Sequence, residues 1–393
     1  MADREEQARR ASPSAVHWDF RLGDCTMFCL VTPEITVSIE RIMKLENRAR
    51  NAWSSMSTGV QRHYLRSMII EEIHATNDIE SVYSTRQEIA EVLDAVQGVT
   101  ETDRRRFREM ARLYNALWNQ DIVAPATLDD IRTVYDEVTG GEIEGSDAPD
   151  GRRFRAGPVQ IVSGQKVAHR GVLGEDSIDS GLAEMLRQNN DDSVPHLVRA
   201  VAAHLIFESV HPFYDGNGRT GRYLLALDLS RSLSPIAWLS MPTTIADNRE
   251  RYYTAFQDAE QPMNRGDATV FITRMLEILV EAQSRLCSDL DHRLEQVGEL
   301  FQRVQGMEEL SKDQPALLFI LGQVRLFEPG GRVTLESLAQ SMEKSKATVR
   351  KQTKVLVEQQ FVEETSAKPL RFRLTPAGQQ ALGLDGDVAT ERR

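Results

Sequence analysis

Cysteine is almost missing, with three in 393 residues. Cys25, Cys29 and Cys287 form an odd set without a second pair at zinc-ligand spacing, and His17 is the only imidazole near the first two. This argues against a disulfide framework or a structural zinc and for reduced thiols in a cytosol, so a cytoplasmic protein is expected. Long apolar runs are missing too. No stretch of about eighteen apolar residues occurs, so no membrane span is expected. The charged opening Met1-Ala2-Asp3-Arg4-Glu5-Glu6 has no apolar segment behind it and does not read as a signal peptide. Positive charge is in deficit, 47 Lys and Arg against 59 Asp and Glu, for a formal net charge of −12. A protein built to coat nucleic acid or an anionic membrane would carry the opposite balance. The rest is an ordinary composition, 41% hydrophobic and 27% charged, in a chain long enough for at least two domains.

Against this background one stretch is dense in chemistry: His211-Pro212-Phe213-Tyr214-Asp215-Gly216-Asn217-Gly218-Arg219-Thr220-Gly221-Arg222. Upstream, Leu197, Val198, Val201 and Leu205 recur at helical spacing, with Ser193 a candidate N-cap and Pro195 near the first turn. Downstream, Tyr223, Leu224, Leu225 and Leu227 continue an apolar helix. The stretch therefore reads as a tight loop between two helices. Gly216 and Gly218 let successive N–H groups turn into one concavity, and the following helix N-terminus adds further donors and a positive dipole end. That is an anion site, usually filled by phosphate. Arg219 and Arg222, three apart, share a helical face and supply guanidinium forks. Asp215 is a hard oxygen ligand beside the phosphates, where Mg²⁺ is commonly held, and His211 is a candidate base. Singly, each residue reads as a cap, a turn glycine or a solvated charge. Together, base, metal ligand and anion cradle point to phosphoryl or nucleotidyl transfer.

The twelve residues resemble the Fic family motif, His-Pro-Phe-x-Asp/Glu-Gly-Asn-Gly-Arg-x-x-Arg, at every fixed position. The resemblance implies transfer of AMP from ATP to a Ser, Thr or Tyr hydroxyl of a target protein. His211 would deprotonate that hydroxyl, and Asp215 would hold the Mg²⁺ bridging the α- and β-phosphates. Gly216, Asn217 and Gly218 would line the anion hole. Arg219 and Arg222 would hold the phosphate chain, with Thr220 and Gly221 between them, and Arg222 would reach the γ-phosphate.

A helix expected over about 61–80 places Leu65, Ile69, Ile73, Thr76 and Glu80 in line on one face. A carboxylate in line with an apolar stripe needs a partner, and Arg219 or Arg222 is a natural one. Many Fic proteins carry an inhibitory helix with the motif Ser/Thr-x-x-x-Glu-Gly/Asn. Thr76-Asn77-Asp78-Ile79-Glu80-Ser81 is similar at Thr76 and Glu80 and departs at Ser81. The resemblance implies that Glu80 pairs with Arg222 and blocks seating of the γ-phosphate. Glu144, in a second Ile-Glu-Gly, has Gly140 four residues before it and lies in a glycine-rich loop, so it reads as surface.

The expected fold is mainly α: a Fic-type helical bundle with a β-hairpin flap, followed by a small winged helix-turn-helix domain. Residues 1–34 read as an N-terminal tail (loose over 1–15), 35–119 as N-terminal helices and 120–285 as the catalytic core. Helices are expected near 87–96, 102–118 and 128–138. Phe154 to His169 reads as a hairpin, and Fic relatives dock the target segment on such a flap, here near 158–169. Of the pair Tyr252-Tyr253 only one can face a given side of a helix, and Tyr253 is the candidate for the nucleotide. A long helix is expected over about 267–305, with a linker helix assigned to 286–312, the winged-helix domain to 313–384 and a tail to 385–393. In that domain Thr334 and Ser345 are candidate caps, and Ala347, Val349, Val355 and Leu356 are expected inward. Lys346, Arg350, Lys351 and Lys354 fall on the outer side of its third helix, as a DNA contact would require. Such domains also serve as protein-docking or dimerisation modules, so a homodimer stays open. Two further readings remain: the same cradle could transfer UMP or phosphocholine or remove AMP, or the chain could be a DNA-binding regulator whose Fic domain only senses nucleotide.

Overall fold

The computed structural model describes residues 2–96, 108–119, 124–139, 143, 145–163, 166–188, 191–311, 313–328 and 330–385. Glu144, the start of the helix expected over 102–118 and the tail beyond 385 lie outside the described residues. The chain is mainly helical, as its periodicities predict. A first unit comprises 1–47 and 69–284, and a second comprises 48–68 and 285–393.

The first unit opens with α1 (Ala2–Arg10) and an antiparallel hairpin of β1 (Ala15–Leu22) and β2 (Cys25–Leu30). The N-terminal tail expected over 1–34, loose over 1–15, is therefore built of regular elements instead. Along β1, Trp18, Phe20 and Leu22 are buried while His17, Asp19 and Arg21 face out, the period-two pattern of a half-buried strand. Next come α2 (Pro33–Ser54), α3 (Thr58–Ile79), α4 (Arg86–Val96), α5 (Arg108–Trp118) and α6 (Leu128–Thr139). The flap follows as β3 (Gln160–Ser163) and β4 (Lys166–Arg170), an antiparallel pair with Gln160 opposite Arg170. Then α7 (Glu175–Gln188), α8 (His196–Val210), α9 (Asn217–Ser230), α10 (Pro235–Leu239), α11 (Met241–Asp247), α12 (Arg249–Ala259) and α13 (Thr269–Gln305) complete the order. Helix α8 is buried on nearly every side, which its all-round apolar sequence requires, and α7 and α9 pack against it. The expected Ser193 cap does not form. Pro195 holds the N-cap position, and Asp191 Oδ1 instead accepts from the Ser193 amide and hydroxyl at 3.0 and 2.7 Å.

The second unit continues from α13, a 37-residue helix over the span expected at about 267–305, so the linker helix assigned to 286–312 is for the most part its end. It holds α14 (Gln314–Phe327), β5 (Val333–Thr334), α15 (Leu335–Ser341), α16 (Lys346–Glu358), β6 (Val362–Ala367), β7 (Leu370–Leu374) and α17 (Pro376–Ala381). The strands form an antiparallel sheet in the order β5-β7-β6. Thr334 and Ser345 cap α15 and α16, accepting from the Ser337 and Thr348 amides at 3.0 and 3.1 Å. Val349, Thr353 and Leu356 are the buried face of α16; Ala347, expected inward, is exposed because it sits in the first turn, ahead of the packed part of the helix.

Helix α3 begins in the second unit and ends in the first. Its beginning is held there by Glu328, which accepts from His63 Nδ1 at 2.5 Å and pairs with Arg66 Nη1. The Glu328 side chain is 9% exposed. Removing a buried, shared carboxylate takes that acceptor from both His63 and Arg66. Glu328→Ala is expected to destabilise the protein by about 3 kcal/mol, read as a lower urea midpoint; an unchanged midpoint would show that the cluster contributes nothing.

Candidate active site

The site is built on the turn between α8 and α9. His211 caps α8 in a left-handed conformation, φ 51° and ψ 63°, with its amide donating to Phe207 O at 2.9 Å. A residue with a Cβ resists this conformation by about 1–2 kcal/mol, so the surroundings must impose it. Arg155 does so. Its Nε donates to His211 O at 2.7 Å, and its Nη2 donates to Val210 O at 3.1 Å and Val172 O at 2.6 Å. Its Nη1 donates to Gly157 O at 2.7 Å, and its amide to Pro212 O at 3.0 Å. A fully buried guanidinium thus binds the backbone of the base to the approach of the flap. Sequence reasoning missed Arg155, whose partners are carbonyl oxygens that any residue could supply; its one signal is a basic run ahead of the flap.

The loop is rigid for similar reasons. Asn217 accepts from the Phe213 amide at 3.0 Å and donates back to Phe213 O at 2.8 Å, so its side chain staples the turn. Phe213 stacks on Tyr135 of α6 at a ring separation of 3.6 Å. Gly216 has φ 81°, and a Cβ there would meet Thr139 Cγ2 at 2.7 Å, so conformation and space both require glycine. Tyr214 accepts from the Gly157 amide at 2.8 Å and donates to Asp150 at 2.9 Å, fixing the segment before the flap. Thr220 donates to Gly216 O at 2.9 Å, and Gly221 packs against Phe207 and the Glu208 carboxylate. Asp215 is exposed, and its Oδ1 accepts from the Gly216 amide at 2.6 Å. No side chain caps α9, so the N–H groups of Asn217 and Gly218 face the concavity at a positive helix end.

Glu80 stands at that helix end. Arg222 Nη1 donates to Glu80 Oε1 at 2.8 Å, and any side chain at Gly218 would collide with the same oxygen. Arg222 Nε donates to Thr76 Oγ1 at 2.7 Å and Nη2 to Thr76 O at 2.9 Å, so Thr76 and Glu80 take both edges of one buried guanidinium. Arg219 is buried on the same helix. The end of α3 explains the spacing. Val82 N–H bonds to Asn77 O and Ser81 N–H to Asp78 O, each at 2.9 Å, a Schellman closure with Ser81 left-handed at φ 59°. Glycine or asparagine suits this position better than serine.

Behind Arg222 lie two further carboxyl groups. Glu208 is partly exposed as a residue, but its Oε1 is sealed from solvent, and burial pushes it up to about 8. Glu72 is also pushed up to about 8 by burial, and accepts from the Tyr114 hydroxyl. His204, buried against Tyr252 at 2.8 Å, is pushed down to about 3. Tyr252 is thus committed to the core, whereas Tyr253 is 39% exposed, with its hydroxyl 3.5 Å from Ile79 O at the end of α3. In the second unit, Lys346, Arg350, Lys351 and Lys354 are all exposed on α16, with Lys346 paired to Glu336 at 2.9 Å.

Residues 125–229 match the Fic/DOC family. Over 149 residues the chain is 33% identical to Protein adenylyltransferase fic-1 of Caenorhabditis briggsae, covering 37% of this chain and 26% of that protein. The protein of the same name from Caenorhabditis elegans is 31% identical over the same shares. These matches span about a quarter of the relatives' length. A solved Fic family protein from Desulfovibrio desulfuricans G20 superposes with a TM-score of 0.55 at 25% identity, over 88% of this chain and 96% of that one.

Two predictions follow from this geometry. Ser81→Gly relieves the left-handed serine and is expected to stabilise the end of α3 by about 0.5–1 kcal/mol, seen as slower amide hydrogen exchange at 79–82; faster exchange would contradict it. Glu208 holds its proton up to about 8 in the folded chain but only to about 4.5 when unfolded, so its contribution is intact below 4.5 and is lost as pH rises through 8. Glu208→Gln keeps the neutral shape. Its thermal midpoint is expected to equal wild type near pH 5 and to exceed it near pH 8.5; equal midpoints at both would refute a proton held on Glu208.

Proposed function

We propose that this protein, whose residues 125–229 form a Fic/DOC family domain, moves AMP from ATP onto a hydroxyl of a target protein and is held in check by Glu80. One observation carries this reading. The chain's own carboxylate occupies the anion cradle, paired with Arg222 and seated on Gly218 at the start of α9. A phosphate entering the cradle needs the same donors, so Glu80 and the end of a triphosphate compete for Arg222.

The roles follow from surroundings. Burial pushes His211 down to about 3, so it is neutral at pH 7 and has a lone pair for the target's proton. Its Nδ1 lies 3.4 Å from Glu208 O, an acceptor, which leaves Nε2 as the basic nitrogen. Gly216, Gly218 and the α9 N-terminus receive the phosphate oxygens, with Asn217 shaping the loop and Arg219 and Arg222 balancing charge. Asp215 is a single exposed carboxylate beside that cradle, a donor set that fits Mg²⁺, which takes one or two carboxylates and completes its shell with water and phosphate. Bound there, the ion would neutralise charge on the phosphate chain. Tyr253, exposed beside the end of α3, would flank the nucleotide. The flap has an open edge on each strand, to which a target segment near 158–169 would add by main-chain hydrogen bonds.

The curated relatives named as protein adenylyltransferases support AMP as the transferred group; UMP, phosphocholine and AMP removal are the outcomes that would displace it. For the second unit, the order of α14, β5, α15, α16, β6 and β7 supports a winged helix, and the four exposed bases on α16 support a DNA contact by that unit. Replacing all four by Ala would then weaken DNA binding and flatten its salt dependence.

Transfer of label from ATP carrying a radiolabelled α-phosphate tests the main reading. Glu80→Gly is expected to label protein at least about tenfold faster than wild type, equivalent to about 1.4 kcal/mol, and Glu80→Gly with His211→Ala not at all. Binding of ATP by Glu80→Gly without any transfer would overturn AMP transfer and turn attention to other nucleotides and to pre-modified targets.

A further inference from the structure

A second imidazole stands beside His211. His169, on the flap strand β4, has its ring centre 5.6 Å from that of His211. Its Nδ1 is 2.8 Å from Glu260 Oε2, just beyond the end of α12. The other Glu260 oxygen accepts from Ser209 Oγ at 3.2 Å, two residues before the base. A carboxylate can only accept, so Nδ1 carries a proton, and in the neutral ring Nε2 is then the bare nitrogen. That Nε2 is buried and has no hydrogen-bond partner. A buried lone pair left unmatched costs free energy, so its placement beside a proton-accepting histidine calls for a reason.

We infer that His169, oriented by Glu260, receives the target's proton from His211. The inference rests on the transfer reading above. The target hydroxyl oxygen bonds to the α-phosphorus as its proton passes to His211 Nε2. The bond from α-phosphorus to the bridging oxygen breaks, and its electron pair leaves with pyrophosphate. His211 then gives a proton to His169 Nε2 by ring rotation or through one water, and the resulting imidazolium is balanced by the Glu260 carboxylate. His211 returns to its neutral form with no net change.

Two features support this path. His211 is 8% exposed and pushed down to about 3, so a proton is poorly held there. Side-chain exposure then rises along the path, to 14% at His169 and 23% at Glu260, towards solvent. His169 lies on the flap and Glu260 91 positions away, so docking of the flap completes the relay.

The test separates a relay from a lock that merely fastens the flap. In the Glu80→Gly background, His169→Asn keeps an N–H for Glu260 but removes Nε2, and His169→Ala removes both. The inference expects ATP binding within about twofold of the parent and AMP transfer slowed by about a hundredfold or more in both. It also expects added imidazole to restore transfer, saturably, to His169→Ala. Transfer by His169→Asn at the parent's rate, or no response of His169→Ala to imidazole, would overturn it. Imidazole ¹⁵N spectra of the unmodified protein give a readout independent of activity: His169 is expected with its proton on Nδ1 alone, and a proton on Nε2 alone would refute the relay. A Glu80→Gly parent that transfers nothing would sink the transfer reading and the relay with it, whereas a parent that transfers beside an unimpaired His169→Asn would sink the relay alone.

Discussion

A guanidinium that cannot give up its proton is buried between α3 and α9. Arg222 therefore needs acceptors, and α3 and the residue after it supply them: the hydroxyl and carbonyl of Thr76 and the carboxylate of Glu80. The arrangement is stable only while Glu80 stays, because Thr76 is neutral and the carboxyls behind Arg222 are pushed towards their protonated forms. On the proposed reading, a charge paired by a partly exposed carboxylate is a charge that another anion can claim. The cradle of N–H groups at the start of α9 defines which anion that is, and the Schellman end of α3 fixes where Glu80 stands relative to it. Fold, site and restraint thus meet at one residue.

The proposed base is prepared by a different means. His211 is strained in its backbone, sealed from water and deprived of a stable charged form. The backbone strain is imposed from outside its side chain. It comes from Arg155 gripping four carbonyl oxygens, from Asn217 closing the loop and from Tyr135 and Phe213 stacking beneath it. Preorganisation of this kind keeps the acceptor fixed while charge moves, which is what transfer to a hydroxyl requires.

Much of this was legible in the sequence, because the residues concerned are close along the chain or share a helical period. The motif from His211 to Arg222 lies in one loop, and Thr76 and Glu80 sit four apart in line with Ile69 and Ile73, so a carboxylate aimed at an arginine could be read from register alone. The choice of Tyr252 for the core over Tyr253 followed from the same geometry. What escaped were contacts made at long range to groups that carry no identity: Arg155 to main-chain oxygens, His169 to Glu260. The opening segment was misread because its Ser, Pro and charges outweighed an alternation at Trp18, Phe20 and Leu22 that marks a strand, and Ser193 lost its capping role to Pro195 because Asp191 already occupied it. The long helix α13 was legible too, because its apolar period runs from Phe271 to Leu286 without a break.

The central claim is that Glu80 and the terminal phosphate of ATP compete for Arg222. Calorimetric titration of wild type and Glu80→Gly with ATP and with ADP tests it directly. The account predicts that wild type binds the two nucleotides with similar affinity, and that Glu80→Gly gains affinity for ATP while its affinity for ADP stays the same. Equal affinity for ATP in the two proteins would show that Glu80 does not occupy the place of that phosphate.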